Sequence, residues 1–315
     1  MVDQNLIWIL FFVFIIAMLA LDLGFFNRKA HEIKAKEAVK MWLFWVALAV
    51  IFNILVWYWY GGEKALEFTT GYVMEEALSV DNMFVFILIF SYFAVPKEDH
   101  HKVLFYGVLG ALLFRGLFIF AGIAVVQQFD WVIYIFGAFL IFTAIKIAIK
   151  KEDAEVHPDH NIVVRGFRKV FRVTENYEGS KFFVWKKEIL MATPLFVALL
   201  VVETTDIVFA VDSVPAIIAI TQDPFIVYTS NAFAILGLRS LYFLLASVMG
   251  LFCYLKYGLA AILAFVGTKM LLASFIHIPV ILSLLVIVGI LVVTILASLI
   301  KNRGKKACPP PEHVN

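Results

Sequence analysis

The sequence predicts an all-α fold: a polytopic transmembrane helical protein of about nine spans that contains two inverted three-helix repeats. Three observations predict it. Of 315 residues, 63% are hydrophobic and only 16% charged, with a mean hydropathy of +0.94, a balance that no water-soluble domain keeps. Apolar runs of about 20 residues, the length a helix needs to cross the hydrocarbon core, recur along the chain. The basic residues crowd alternate connections between those runs. The runs are oily on every face, whereas a transmembrane β-barrel shows segments of roughly ten residues that alternate in polarity.

The first span, near residues 6–26, is expected to stay in the mature chain, since "MVDQNL" has no basic n-region and no small-residue cleavage site follows. The second lies near 41–60. The next three, near 68–94, 103–127 and 131–149, form a first three-helix repeat over residues 68–149. A basic connection, 150–188, separates it from spans near 190–220, 225–249 and 257–275, which form the second repeat over 189–275. The last span, near 279–300, leads into a cytoplasmic tail within 276–315, and residues 1–67 hold the first two helices.

Arg28, Lys29, Lys34, Lys36 and Lys40 crowd the first connection; nine Lys and Arg residues from Lys150 to Lys187 crowd the fifth; and Lys301, Arg303, Lys305 and Lys306 the tail. Lys97, Lys102 and Lys256 fall in the third and seventh, while the other connections and the N-terminus hold Lys64 alone. The positive-inside rule therefore sets the N-terminus outside and the C-terminus in the cytoplasm of a multi-pass membrane protein; the resemblance given below implies that this is the inner membrane, with the N-terminus in the periplasm. Two cysteines, Cys253 and Cys308, make no disulfide framework.

The repeat is visible in polar landmarks. "EEALSVDNMF" matches "TDIVFAVDSVP", which sets Glu75 against Asp206, Asp81 against Asp212 and Asn82 against Ser213. "GALLFRGLFIF" matches "AILGLRSLYFL", aligning Arg115 with Arg239, and "FTAIKI" matches "FVGTKM", aligning Lys146 with Lys269. An odd number of helices per repeat reverses the second relative to the first, the plan of many secondary transporters, whose substrate site lies near the midplane.

A central Asp costs about 2.5–3.5 kcal/mol on insertion scales, so Glu75, Glu76, Asp81, Glu203, Asp206 and Asp212 need compensation. One reading pairs them with Arg115, Lys146, Arg239 and Lys269 as structural glue. Six acids exceed four bases, and Asn82, Ser213, Thr204 and Thr205 add the neutral oxygens that hard divalent cations prefer, which favours a cation site. Glu76 has Ile207 as its counterpart and is the weakest of the set.

Acids six residues apart lie about 9 Å along a helix and roughly 120° around it, so one straight helix cannot set Asp206 and Asp212 on one ion. Pro215 is expected to loosen "AVDSVP" into a discontinuous helix, with the first repeat, which has Phe84 at that position, broken in the same region. Asp22 and Asn53 read as pathway residues or helix-to-helix hydrogen bonds, and Asn231 equally as a capping residue. Met74 and Met83 read as packing residues, and the His157, Asp159, His160 group and "EDHH" at 98–101 as solvated basic loop.

At "LDLGFF", "EEALSVDN", "FDWVIYIFGAFLIFTAIK", "ATPLFVALLVVETTDIVFAVDSVPAI", "DPFIVYTSNAFAILGLRSLYFLLA" and "LKYGLAAIL" the chain resembles the TerC family of membrane proteins, and within it the Alx-like manganese exporters. The resemblance implies export of Mn²⁺ across the inner membrane, and it carries the family's acidic motifs onto Glu75, Asp81, Asn82, Glu203, Asp206, Asp212 and Ser213. The residues alone stop at a hard divalent cation, with Ca²⁺, Mg²⁺ and Fe²⁺ still open. The expected partners are Mn²⁺, the lipid bilayer and protons as counter-ion, with no prosthetic group, no enzymatic reaction and no nucleic acid. The alternative is a non-transporting membrane scaffold in a metal- or tellurite-stress complex. An intramembrane aspartyl hydrolase lacks its Gly-x-Gly-Asp signature, and no phosphate-binding loop supports ATP-driven pumping.

Overall fold

The fold comes from a computed structural model that describes residues 4–21, 35–129, 131–149, 162–186, 189–248, 254–276 and 278–302. The described chain is mostly helical: α1 (Gln4–Leu21), α2 (Ala35–Tyr60), α3 (Gly62–Tyr92), α4 (Lys97–Gln128), α5 (Val132–Ile149), the short α6 (Ile162–Val170), then β1 (Phe183–Lys186) and β2 (Ile189–Ala192), α7 (Pro194–Ile218), α8 (Pro224–Val248), α9 (Leu255–Leu271) and α10 (Val280–Asn302). Among the described residues six helices, α2, α4, α5, α7, α8 and α10, are long and apolar enough to cross a membrane, and α1 is a shorter apolar helix. α3 has the length, at 31 residues, but its acids interrupt the apolar run.

The all-α expectation needs one correction. β1 and β2 pair antiparallel, with Phe183 opposite Ala192 and Lys186 opposite Ile189. The sixth apolar run therefore becomes helical only at Pro194, not near 190. "FVWK" and "ILMA" carry the β-branched and aromatic residues that suit a strand, and Pro194 then starts α7, where a missing amide hydrogen costs nothing.

A second correction concerns helix breaks. α3 and α7 are both continuous, through residues 81 and 212 respectively. Pro215 falls in the last turn of α7, so the one carbonyl it leaves without a partner, that of Val211, lies about two turns from the helix end, and the amide of Ala219 still bonds the Pro215 carbonyl at 3.1 Å.

α8 is the central helix, with every residue from 225 to 242 buried. It is enclosed by α2, α3 and α4. When α3, α4 and α5 are exchanged for α7, α8 and α9, the main contacts map onto one another: α3 packs on α8 as α4 packs on α7, α5 touches α7 as α9 touches α3, and α5 packs on α9. The α5–α9 crossing is set by two glycines. A Cβ added at Gly137 would lie 2.9 Å from the Gly267 carbonyl oxygen, and one at Gly267 2.7 Å from the Gly137 carbonyl oxygen. Small residues let backbones approach this closely where no hydrophobic effect drives helices together.

Gly137→Ala and Gly267→Ala are each expected to destabilise the protein by about 1–3 kcal/mol, because both neighbours are backbone and cannot rotate away. Gly289→Ala, facing open space, is the control expected to be neutral or slightly stabilising. Thermal unfolding in detergent checks the difference.

Candidate functional site

The helical period selects which polar residues face inward. On α3, Glu75, Ser79 and Asn82 fall at i, i+4 and i+7, about one face, and all are buried. On α7, Asp206, Ala210 and Ser213 repeat that spacing and are also buried. Each stripe carries its acid one turn before its small neighbour, and the two acids meet at one cation.

That cation is Arg115 of α4, which is fully buried. Its Nε and Nη2 donate to the two carboxylate oxygens of Asp206 at 3.3 and 3.0 Å, a bidentate fork. Nη1 pairs with the Glu75 carboxylate and donates to Asn231 Oδ1 of α8 at 3.3 Å. With its amide turned so that the oxygen faces the guanidinium, Asn82 accepts from Nη2 at 3.3 Å and donates to the Leu78 carbonyl at 3.2 Å. Ser79 donates to Glu75 at 3.4 Å. Four helices thus converge on one guanidinium, and two carboxylates against one arginine leave this cluster one negative charge in excess.

Beside Asp206 lies a small cavity of about 10 Å³, the room of roughly one water. Met83, Gly107, Val202 and Arg239 are among its lining residues. Arg239, the counterpart of Arg115, does not reach the acid pair among the contacts described. It bonds His101 Nε2 at 3.3 Å and stands over the Phe105 ring at 5.6 Å. One turn before Asp206, the Glu203 carboxylate rests where a side chain on Gly110 would be, and its Oε2 is buried without a hydrogen-bond partner.

The remaining expected site residues separate. Asp212 leaves the inward face, as its six-residue offset requires, and accepts from Thr143 of α5 at 3.1 Å. Ser213 is inward and buried, with its hydroxyl unpartnered. Asp81 lies in α3, and its side chain is outside the described residues. Glu76 points away from the cluster and accepts from Tyr72 at 2.8 Å. Among the described residues no group of three His, Cys, Asp or Glu side chains is arranged to hold a metal ion.

Several expectations are resolved or corrected. Asn231 lies inside α8 and holds Arg115; it is not a cap. Asn53 donates to Thr69 at 2.7 Å, a helix-to-helix bond between α2 and α3. Met74 and Met83 are fully buried packing residues. In "EDHH", Asp99 is buried, and His100 meets the Val95 carbonyl and the Tyr242 hydroxyl, so this stretch is packed and not a solvated loop. Asp22, His157, Asp159 and His160 lie outside the described residues. A cluster not anticipated joins α3 to the α7–α8 turn: Glu67 accepts from Thr221 at 2.6 Å and Lys64 at 2.8 Å, and Lys64 also approaches Asp223 at 3.5 Å. A buried acid three residues after a lysine was its only sequence signal.

Arg115→Met strands two buried carboxylates and is expected to cost about 3–5 kcal/mol, read by unfolding in detergent. Adding Glu75→Gln and Asp206→Asn to it is expected to recover most of that loss, since removing all the charges also removes the uncompensated ones.

Comparison with known proteins gives the family. Residues 60–306 match the description "Integral membrane protein TerC family". A Myxococcus xanthus protein, "Uncharacterized membrane protein STKORF319", is 50% identical over 297 residues, covering 94% of this chain and 93% of its own. The Escherichia coli K12 protein named "Putative membrane-bound redox modulator Alx" is 49% identical over 303 residues, covering 93% and 94%. A Rickettsia bellii "Uncharacterized membrane protein" is 41% identical over 298 residues, covering 94% and 97%. No solved structure matches. The chain belongs to the TerC family of integral membrane proteins.

Proposed function

We propose that this TerC-family protein exports a hard divalent cation, Mn²⁺ before others, across the inner membrane by alternating access between two inverted three-helix repeats. The observation that carries the reading is the meeting of Glu75 and Asp206, counterparts in the two halves, in a buried cluster with one negative charge to spare. Carboxylates from both halves at one point are what a midplane cation site requires. In this reading the ion draws on Glu75, Asp206, Glu203 and the oxygens of Asn82 and Ser213. Its charge takes over from that of the Arg115 guanidinium, which balances one of the two acids. Asp212, beside Thr143, and Asp81 belong to other positions along the path, because α7 and α3 are continuous helices. Manganese itself rests on the family resemblance; carboxylate and amide oxygens select only a hard cation.

Efflux against an inside-negative potential needs a driving counter-ion, and protons competing for the same carboxylates are the economical one. In this account the N-terminus lies in the periplasm and the C-terminus in the cytoplasm, as the distribution of basic residues supports. The protein holds no prosthetic group and performs no enzymatic reaction in this account.

The second reading, a non-transporting scaffold in a stress complex, is favoured by the same Arg115 if its ion pairs serve packing alone. The redox role in the name of the Escherichia coli relative fits either reading. Metal-resolved flux in proteoliposomes separates them. The exporter carries Mn²⁺ toward the more acidic compartment, and Glu75→Gln or Asp206→Asn lowers flux by about 10- to 100-fold or more. A scaffold moves no metal with or without these changes. Flux that ignores the pH gradient removes proton coupling and leaves export.

A further inference from the structure

The segment between the two halves is folded into a small module whose outer surface the transport reading does not use. Residues 162–186 hold six basic residues and two acidic ones. One side of α6 is anchored: Val164 is buried, and the Phe167 ring stacks on Phe171 at 4.8 Å and packs on Phe196 at 5.2 Å. Phe183 of β1 meets the same Phe196 ring at 4.5 Å. Phe196 lies in the first turn of α7, so the module sits at the level where that helix enters the membrane.

Two chemistries are exposed on it. Arg165, Lys169 and Arg172 of the α6 segment are exposed. So is Trp185 of β1, at 72%, while Ile189, at 43%, lies on the other face of the hairpin. A face meant for water alone has no use for a tryptophan this bare. Amphipathic aromatics beside lysine and arginine, at the depth of a helix end, are the composition that settles among lipid headgroups, and the charge selects anionic ones.

The module also joins the two halves. β2 runs into α7 through Thr193, whose amide bonds the Phe182 carbonyl at 2.9 Å. On the other side, Tyr177 donates to the Phe93 carbonyl in the α3–α4 turn at 2.7 Å, and Lys102 of α4 bonds the Ser180 carbonyl. Burial and the nearby Asp99 carboxylate push the Tyr177 phenol up to about 12, so it remains a donor at any physiological pH.

We propose that α6 and the β1–β2 hairpin form a seat for anionic phospholipid headgroups, which fixes the module to the membrane surface and thereby ties the α3–α4 turn to the start of α7. The inference is independent of what the protein carries.

The test uses the full chain in phosphatidylcholine nanodiscs with brominated phosphatidylglycerol titrated in, and reads Trp185 as the difference in fluorescence between wild type and Trp185→Phe. Quenching is expected with brominated phosphatidylglycerol at far lower mole fraction than with brominated phosphatidylcholine. Each basic side chain near an anionic surface contributes a factor of about five, so replacing Arg165, Lys169 and Arg172 by Gln should weaken the interaction roughly 100-fold. Equal quenching by the two lipids, or none by either, overturns the seat; the second outcome assigns the face to a soluble partner. For the tie, phosphatidylglycerol is expected to raise the melting temperature of wild type more than that of Tyr177→Phe, which keeps its ring and its lipid quenching. An equal rise in both overturns the tie.

Discussion

The structure depends on one guanidinium inside a membrane-spanning bundle. Two carboxylates cannot share a point of low dielectric without a positive charge between them, since desolvation is severe and their repulsion is barely screened. Arg115 meets that condition by shape as well as charge. Its planar fork takes both oxygens of Asp206 and leaves Nη1 for Glu75 and Asn231. A lysine, with a single nitrogen, has no such fork with which to hold Asp206 bidentately while bridging to α3. The consequence reaches the whole fold. α3 is too rich in acids to face lipid, so it packs inward against α8, α2 and α7, and Arg115 of α4 reaches its acid from beyond them.

Much of this is legible in the sequence, and the parts that are not have definite reasons. The apolar runs announce the long helices because lipid demands about 20 residues whatever their identity. The acids at 75 and 206 stand out as counterparts because polar residues are rare in such runs. Which polar neighbour shares their face is also readable: Asn82 and Ser213, seven residues on, return to within about 20° of the acid, whereas Asp212, six on, does not. Expecting a break at Pro215 obscured that rule, and the break does not occur because the proline stands within a turn of the helix end. The hairpin escaped notice because two four-residue strands look like the start of the apolar run that follows. The role of Asn231 was hidden because its partner lies 116 residues away and no local pattern points to it.

Small residues do the complementary work. Gly137 and Gly267 bring α5 and α9 into backbone contact, and Gly110 opens the notch that receives the Glu203 carboxylate. A methyl group at position 110 would occupy the volume of that carboxylate. Charge placement and close packing are therefore coupled in α4, where Arg115 supplies the counter-charge and a glycine just over one turn earlier makes room for another acid.

The two arginines show why a repeated sequence need not give a symmetric site. Arg115 and Arg239 hold the same place in the two halves, yet one is locked on Glu75 and Asp206 while the other bonds His101 and borders the small cavity beside Asp206. The neighbours agree with this division. Gly107, which lines the cavity, corresponds to Asn231, which grips Arg115, and the unpartnered hydroxyl of Ser213 corresponds to Asn82, whose amide oxygen accepts from it. The difference between the two arginines is thus written in their neighbours: amides stand at Arg115 where a glycine and a serine stand at the cavity.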